Sequence, residues 1–204
     1  MSKKHFVCVG PNTGDSSMIQ MLDGHDEFWF IEPLPEAAEW LREQNKDISD
    51  VFHVVEAACS DYDGRGTLTR YNKNGVSSSL GKCSDECRAL YGHVDWGSRG
   101  EVEVPVINLF NFLQYVGVYE IETLLIDAQG LDLTILKTLR PYLERRAIAR
   151  IIHETDADGL RLYDDIPGNT IGESIEFFQS IGGYKMQTLP DRNAFNFDVE
   201  WRRV

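Results

Sequence analysis

This 204-residue sequence has few basic residues and no long apolar run, and each shortage excludes a class of protein. Lysine and arginine number 20 against 33 aspartate and glutamate residues, which leaves a net charge of −13. Because an acidic surface repels phosphates, the composition predicts neither a nucleic-acid partner nor a membrane partner. No apolar segment approaches the length of a membrane span, and residues 1–5 lead into a strand without a signal-peptide core.

Cysteine is also scarce, because Cys8, Cys59, Cys83 and Cys87 are too few for a disulfide framework in a chain of this size. Two of them fall in predicted strands, so we expect reduced thiols and a cytoplasmic protein. The Cys83-x-x-x-Cys87 spacing, with His93 six residues later, could supply three zinc ligands. No fourth ligand is evident, and we therefore expect two incidental thiols and no metal.

Apolar strand patterns alternate with helical patterns along the chain. Strands are predicted over residues 7–9, 28–31, 52–58, 66–71, 101–106, 123–126, 148–152, 184–189 and 194–201. Helices are predicted over 16–22, 35–44, 109–116, from 131 through about 142, and over 171–181. This alternation predicts a single α/β domain over residues 1–204, with a doubly wound, mostly parallel sheet. An extra hairpin is expected from the strands over 66–71 and 101–106.

Residues 72–100 show no clear period and are rich in glycine, serine, asparagine and aspartate. Segments of this length without a pattern are usually functional or disordered. We expect a lid that closes on a substrate, and a disordered loop is the alternative. The polar and aromatic side chains available to such a lid include Ser77, Ser78, Ser79, Tyr91, His93 and Trp96.

A glycine turn, Gly10-Pro11-Asn12-Thr13-Gly14-Asp15, follows the first strand, and the second strand ends in Glu32. Glycine lets backbone approach a ligand closely, and a carboxylate about twenty residues later suits the two ribose hydroxyls of a nucleotide-like cofactor. The turn lacks the three glycines of a pyrophosphate binder, and Asp15 would face the phosphates. S-adenosylmethionine, with a sulfonium, an ammonium and one carboxylate, fits better, the backbone N–H groups of the turn holding that carboxylate. An oxidoreductase that binds NAD or a nucleotide sugar is the alternative.

Further polar residues follow the ends of predicted strands, namely Asp61, Asp127, Gln129, His153 and Glu154. Carboxyl ends of parallel strands form the ligand site of such sheets. Asp127, His153 and Glu154 are therefore candidates for a general base that takes a proton from a hydroxyl. Asp127 could equally accept backbone N–H groups as a structural residue. A metal held by Asp127 and Glu154 is disfavoured, because Gln129 stands where a third carboxylate would help.

Six segments in order resemble FkbM-type methyltransferases, a class I S-adenosylmethionine-dependent family. They are residues 9–15, 31–37, 57–64, 77–80, 104–106 and 124–137, the last reading Leu-Leu-Ile-Asp-Ala-Gln-Gly-Leu-Asp-Leu-Thr-Ile-Leu-Lys. The resemblance implies a Rossmann-like class I methyltransferase fold, with a seven-stranded sheet whose last strand runs antiparallel. It also implies methyl transfer, usually to a hydroxyl oxygen, here of a small molecule or a glycan, with S-adenosylhomocysteine as product.

The resemblance also implies roles for individual positions. Glu32 would hold the ribose beside Pro33, and Cys59, Ser60 and Asp61 would lie near the adenine. Asn12 and Gly14 would line the methionine end, and Gly10, Asp15 and Asp127 are further candidates for cofactor binding. Apart from the resemblance, the candidates for the substrate or the lid are Ser77, Ser78, Ser79, His93 and Gln129.

Three positions depart from the family pattern. Cys8 stands where the family commonly has an aspartate, and Leu125 and Gln129 stand where it usually has lysine and glutamate. These changes allow a third interpretation, a domain that binds the cofactor without catalysis.

Overall fold

The computed structural model describes residues 3–14, 21–188 and 195–204, and within them the chain forms twelve strands. In chain order these are β1 His5–Val9, β2 Glu27–Ile31, β3 Phe52–Val55, β4 Ala58–Ser60, β5 Gly64–Tyr71, β6 Lys82–Cys83, β7 Ser98–Asn108, β8 Ile121–Ile126, β9 Ile148–Asp156, β10 Tyr163–Asp164, β11 Tyr184–Thr188 and β12 Asn196–Arg203. The α-helices in the same residues are α1 Pro35–Gln44, α2 Asp85–Leu90, α3 Leu109–Val116, α4 Asp132–Thr138, α5 Arg140–Glu144 and α6 Ile171–Ile181.

Seven strands form the central sheet, in the order β11-β12-β9-β8-β1-β2-β3. The five strands from β9 to β3 are parallel to one another, whereas β12 runs antiparallel to both β9 and β11. The expected seven-stranded sheet with an antiparallel last strand is confirmed. Strand order reverses at β1, which lies between β2 and β8, and the carboxyl end of β1 is therefore the expected ligand position.

The predicted hairpin is confirmed, because β5 pairs antiparallel with β7 in a separate three-stranded sheet. The strand predicted over 52–58 is divided in the structure. Its first part, β3, ends at Val55 on the edge of the central sheet, and β4 begins at Ala58 and pairs with β7. Two sheets therefore meet where one strand was expected.

Helices α1 and α6 have the predicted bounds, and the side chain of Asn108 caps α3 by accepting a hydrogen bond from the Asn111 N–H. The single helix expected through Tyr142 breaks into α4 and α5 at Leu139. Pro141 explains the break, because it has no N–H to continue the helical ladder.

Strand β9 is longer than expected, and this changes the position of two candidate residues. It continues to Asp156 because β12 pairs with it as far as the Asn196–Asp156 position. His153 and Glu154 therefore lie inside the strand and not at its end. Their side chains point to opposite faces of the sheet, as successive residues of a strand do.

Residues 72–100 contain the short strand β6 and the helix α2, and both pack on the rest of the domain. Strand β6 pairs with β10, and the Cys83 N–H donates to the Tyr71 hydroxyl at 2.9 Å. All four cysteines are buried and free, as expected for reduced thiols. No helix within the described residues has the length and apolar character needed to cross a membrane.

Candidate cofactor and acceptor site

Three adjoining cavities open at the carboxyl ends of β1, β2 and β8, and Val76 lines all three. The first, the Glu32 cleft, is lined by Gly10, Asn12, Glu32, Pro33, Ala58, Cys59, Leu68, Ser78, Ser79, Leu80, Asp127 and Gln129, among others. The second, the Gly14 cleft, is lined by Cys8, Gly10, Asn12, Gly14, Leu125, Asp127, Asp198 and neighbours. The third, the aromatic pocket, is lined by Ser77, Tyr91, Trp96, Gln129, Glu154, Asp156, Tyr163, Asn196 and neighbours.

Gly10 fixes the end of β1 against the end of β8. Its N–H donates to the Ile31 carbonyl at 2.9 Å, and the Asp127 N–H donates to the Val9 carbonyl at 3.0 Å. The φ of Gly10 is +75°, and a Cβ at this position would overlap the carbonyl oxygen of Asp127. The turn therefore requires glycine for two reasons, its left-handed backbone and its contact with Asp127.

The N–H groups of the turn already donate within the protein. Gly10 donates to Ile31, Asn12 to the Glu32 side chain, Thr13 to the Asn12 side chain and Gly14 to the Pro11 carbonyl. The expectation that these N–H groups hold the carboxylate of a ligand is therefore not supported by this arrangement. Asp15, the other predicted residue of the turn, lies outside the described residues.

Glu32 lies at the junction of the turn and α1, and only 3% of it is exposed. One carboxyl oxygen accepts the Asn12 N–H and the other accepts the Leu34 N–H, each at 2.8 Å. Burial raises the pKa of Glu32 to about 7, because these two bonds only partly offset the loss of hydration and Asp127 adds a like charge. The carboxyl group is held rigidly and faces the cleft beside Pro33.

Asp127 follows β8 and belongs to a short hydrogen-bonded chain. The side-chain amide of Gln129 donates to Asp127, and its amide oxygen accepts the Tyr163 hydroxyl at 2.8 Å. Tyr163 therefore fixes which way the Gln129 amide points, and the amide presents a donor to Asp127. The sequence offered no signal for Tyr163, because β10, which contains it, is only two residues long.

The predicted serines line the cavities. The Ser79 hydroxyl donates to the Gln129 carbonyl at 2.8 Å, and Ser77 accepts from the Asn72 amide at 3.1 Å. The Ser78 hydroxyl oxygen is buried in the wall of the Glu32 cleft and has no hydrogen-bond partner among the described residues. The Asn12 amide ties the glycine turn to this segment by donating to the Asn74 carbonyl. Residues 72–80 thus form a wall of the site, and their closing on a substrate stays a prediction.

Three other predicted residues do not line the cavities. They are Ser60, Asp61 and His93, whereas Cys59 lines the Glu32 cleft. Ser60 is buried, and its hydroxyl donates to the side chain of the exposed Asp61. The Asp61 main-chain carbonyl accepts a hydrogen bond from the side-chain amide of Asn108, the N-cap residue of α3. His93 is exposed on the segment after α2.

His153 lies in the core and lines none of the three cavities. Its Nε2 lies 3.1 Å from the Ser174 hydroxyl and accepts the Trp201 indole N–H at 3.3 Å, and its Nδ1 lies 2.9 Å from the Glu154 carbonyl. Burial lowers its pKa to about 4, so the ring is neutral near pH 7. The structure thus gives His153 a packing role and does not bring it to the site.

Glu154 points to the other face of β9 and lines the aromatic pocket with Asp156. Burial and the neighbouring Asp127 raise the pKa of Glu154 well above its usual range. Burial also raises the pKa of Asp156 to about 6. The Asn196 amide donates to the Asp156 carboxyl group at 3.1 Å, and its interaction with Glu154 partly offsets the rise in the pKa of that residue.

The charge of the three cavities has one sign. Their carboxyl groups are those of Glu32, Asp127, Glu154, Asp156 and Asp198, and no lysine, arginine or histidine lines them among the described residues. Nor do the described residues contain a group of three or more histidine, cysteine or acidic side chains placed to hold a metal ion. The cavities therefore favour a ligand that carries positive charge and disfavour phosphates.

Residues 8–179, which include the end of β1, all of β2 and β8, and the residues that line the Glu32 cleft, match the model of the methyltransferase FkbM domain. The chain belongs to the FkbM methyltransferase family. No protein among the curated sequences matches it.

Solved structures of methyltransferases share the fold of this FkbM domain. The METTL16 methyltransferase domain is 8% identical, with a TM-score of 0.54, over 98% of this chain and 60% of that one. The N-terminal domain of human METTL16 in complex with S-adenosylhomocysteine is 8% identical, with a TM-score of 0.50, over 98% of this chain and 62% of that one. This chain thus spans about three fifths of the length of those proteins. At this identity the likeness establishes the Rossmann-like methyltransferase fold.

Proposed function

We propose that this FkbM domain is an S-adenosylmethionine-dependent methyltransferase that methylates a hydroxyl oxygen of a small molecule or a glycan. The observation that carries the proposal is the Glu32 cleft, which joins a ribose-type carboxylate to Asp127 at the switch point of the sheet and has no cationic side chain among the described residues. S-adenosylmethionine, when bound, supplies a methyl group on a positively charged sulfur.

The residues of the cleft fit this cofactor. Glu32 would accept the ribose hydroxyls, because each of its oxygens keeps a lone pair beyond the backbone bond it already accepts. An apolar wall suited to adenine is formed by Ala58, Cys59 and Leu68. The buried Ser78 hydroxyl in the same cleft has no hydrogen-bond partner among the described residues, and a nitrogen of the base could serve as one. Asp127 and Asp198 would face the charged methionine end.

Phosphate-containing cofactors fit the same cleft less well. The four described N–H groups of the glycine turn are already used, and no described cationic side chain lines the cleft to neutralise a pyrophosphate. An oxidoreductase that binds NAD or a nucleotide sugar is accordingly the weaker interpretation.

Asp127 is the favoured general base for the acceptor hydroxyl. It lines both cofactor clefts, and the Gln129 amide that donates to it stabilises the ionised form, which can take a proton. Glu154 is less suited, because it lines only the aromatic pocket and neither of the two clefts that Asp127 lines. Residues 72–100 would close the site from above, and their serines and aromatic side chains would contact the acceptor.

Calorimetric titration of S-adenosylhomocysteine, NAD and UDP-glucose against the purified protein tests the proposal. We expect S-adenosylhomocysteine to bind at micromolar concentration or below, and the other two to bind at least about a hundredfold more weakly, a difference of about 2.7 kcal/mol. Tighter binding of NAD or UDP-glucose, or no binding of S-adenosylhomocysteine, would overturn it. If S-adenosylhomocysteine binds but labelled S-adenosylmethionine transfers no methyl group across a panel of hydroxyl compounds, the non-catalytic interpretation gains support.

A further inference from the structure

The aromatic pocket adjoins the Glu32 cleft at Val76 and Gln129, and the Gln129 amide donates to Asp127. Tyr91, Trp96 and Tyr163 supply ring walls. The Trp96 indole N–H donates to the Tyr91 carbonyl at 3.1 Å, which fixes both residues relative to each other. Such walls pack well against the C–H faces of a saturated ring and against a cation.

The other end of this pocket is acidic. Glu154 and Asp156 are two apart on β9, so they share a face of the strand and both line the pocket. The Asn196 amide donates to Asp156 at 3.1 Å and also interacts with Glu154. This amide is neutral and adds no charge to balance the two carboxyl groups.

The surroundings of these carboxyl groups contain further acids. Asp127, Asp198, Glu173 and Glu86 all act to raise their pKa values, and no basic side chain lines the pocket among the described residues. Buried carboxylates without a cation are costly, and a cationic ligand removes that cost.

We propose that the aromatic pocket binds an acceptor with a protonated amino group close to the hydroxyl that is methylated, as in an amino sugar or an aminocyclitol. The inference rests on the proposed function and names its substrate class. The ammonium would donate to Glu154 and Asp156, the ring would lie against Trp96 and Tyr91, and the hydroxyl would point to Asp127. In the transfer, the bond from sulfur to the methyl carbon breaks with its electron pair left on sulfur, a bond from the hydroxyl oxygen to that carbon forms, and Asp127 takes the hydroxyl proton.

Calorimetry on the protein saturated with S-adenosylhomocysteine tests the inference with three matched probes: glucosamine, N-acetylglucosamine and glucose. The titrations are made at a pH at which the glucosamine amine is protonated. We expect glucosamine to bind about tenfold more tightly than either of the other two, since hydrogen bonds to charged groups are the stronger ones. Equal binding of the three probes, or no binding of glucosamine, overturns the inference while leaving the proposed function intact. Failure of S-adenosylhomocysteine to bind overturns the proposed function instead.

Two double variants separate the pocket from the general acidity of the protein. Glu154→Gln with Asp156→Asn should remove the preference for glucosamine, whereas Glu39→Gln with Glu43→Gln, on the exposed face of α1, should keep it. If both double variants lose the preference for glucosamine, the preference depends on the net charge of the protein and the inference is contradicted. Binding of S-adenosylhomocysteine reports whether each variant is folded. If a variant does not fold, the comparison of the three probes on the unaltered protein still tests the inference. Transfer assays read by mass spectrometry should place the methyl group on oxygen, and a methyl group on nitrogen would also contradict it.

Discussion

Replacing Glu32 by glutamine preserves the shape of the side chain but removes its charge and one of its acceptor oxygens. In the protein both oxygens accept backbone N–H groups at 2.8 Å. Glutamine can accept only one of these bonds, so its NH₂ group faces the other N–H, at a cost of about 1–3 kcal/mol.

The loss is offset by the removal of a buried charge. A pKa of about 7, against 4.5 for an exposed glutamate, corresponds to about 3 kcal/mol at a pH well above 7. Because burial raises the folded pKa, this cost to the unaltered protein is absent below the unfolded pKa of 4.5, grows as the pH rises, and is complete above about 7. The two effects nearly cancel, and at about pH 8 we expect Glu32→Gln to melt within a few degrees of the unaltered protein.

Binding should respond very differently. The ionised carboxylate of Glu32 can accept both ribose hydroxyls, and bonds to a charged group contribute about 1.5–3 kcal/mol each. We therefore expect calorimetry to show affinity for S-adenosylhomocysteine about 10- to 150-fold weaker in Glu32→Gln. Glu56→Gln, at an exposed carboxyl group just after β3, is the matched control and should bind as the unaltered protein does. Affinity within twofold of the unaltered value in a folded Glu32→Gln protein would refute the ribose assignment.

Three other predictions follow from the same site. Affinity for S-adenosylhomocysteine should rise as the pH increases through about 7, where Glu32 ionises, and calorimetry from about pH 6 to about pH 8 should show a smaller rise in Glu32→Gln. In denaturant titrations, Gly10→Ala should lower the free energy of unfolding by about 1–3 kcal/mol more than Gly24→Ala does. Both glycines have a left-handed backbone, but only a methyl group at position 10 would overlap another atom, the Asp127 carbonyl oxygen. Tyr163→Phe removes the hydroxyl that orients the Gln129 amide, so we expect kcat to fall about tenfold with unchanged affinity for S-adenosylhomocysteine. An equal loss of kcat and of this affinity would instead indicate a general change of the cleft.

The parts of the site that are local in sequence were predictable. A strand, a glycine turn and a carboxylate at the end of the next strand lie within residues 7–32, and hydropathy with glycine spacing was enough to place them together. The same reasoning located Asp127 after the most apolar strand of the chain. In each case the strand ends where its apolar run ends.

The parts that depend on distant pairing were not predictable. His153 follows an apolar run, which indicated a strand end, but β12 extends the ladder to Asp156 and places the histidine in the core. Tyr163 reaches the site because β10 pairs with β6, about eighty residues earlier in the chain. Asn196 reaches the Asp156 carboxyl group from the neighbouring strand β12. No local pattern carries such contacts, because they are set by register between strands.

The register between β1 and β8 also connects two of the positions at which this chain departs from the family pattern, Cys8 and Leu125. Cys8 and Leu125 are direct partners in the pairing of β1 with β8. The aspartate and lysine common at these positions in the family would therefore face each other across neighbouring strands, and this chain replaces both with apolar side chains. Losing one partner of a buried ion pair leaves an uncompensated charge, whereas replacing both by apolar groups is often neutral. In this chain Cys8 and Leu125 together make an apolar part of the Gly14 cleft wall. Asp127 and Asp198 are the carboxyl groups that line this cleft.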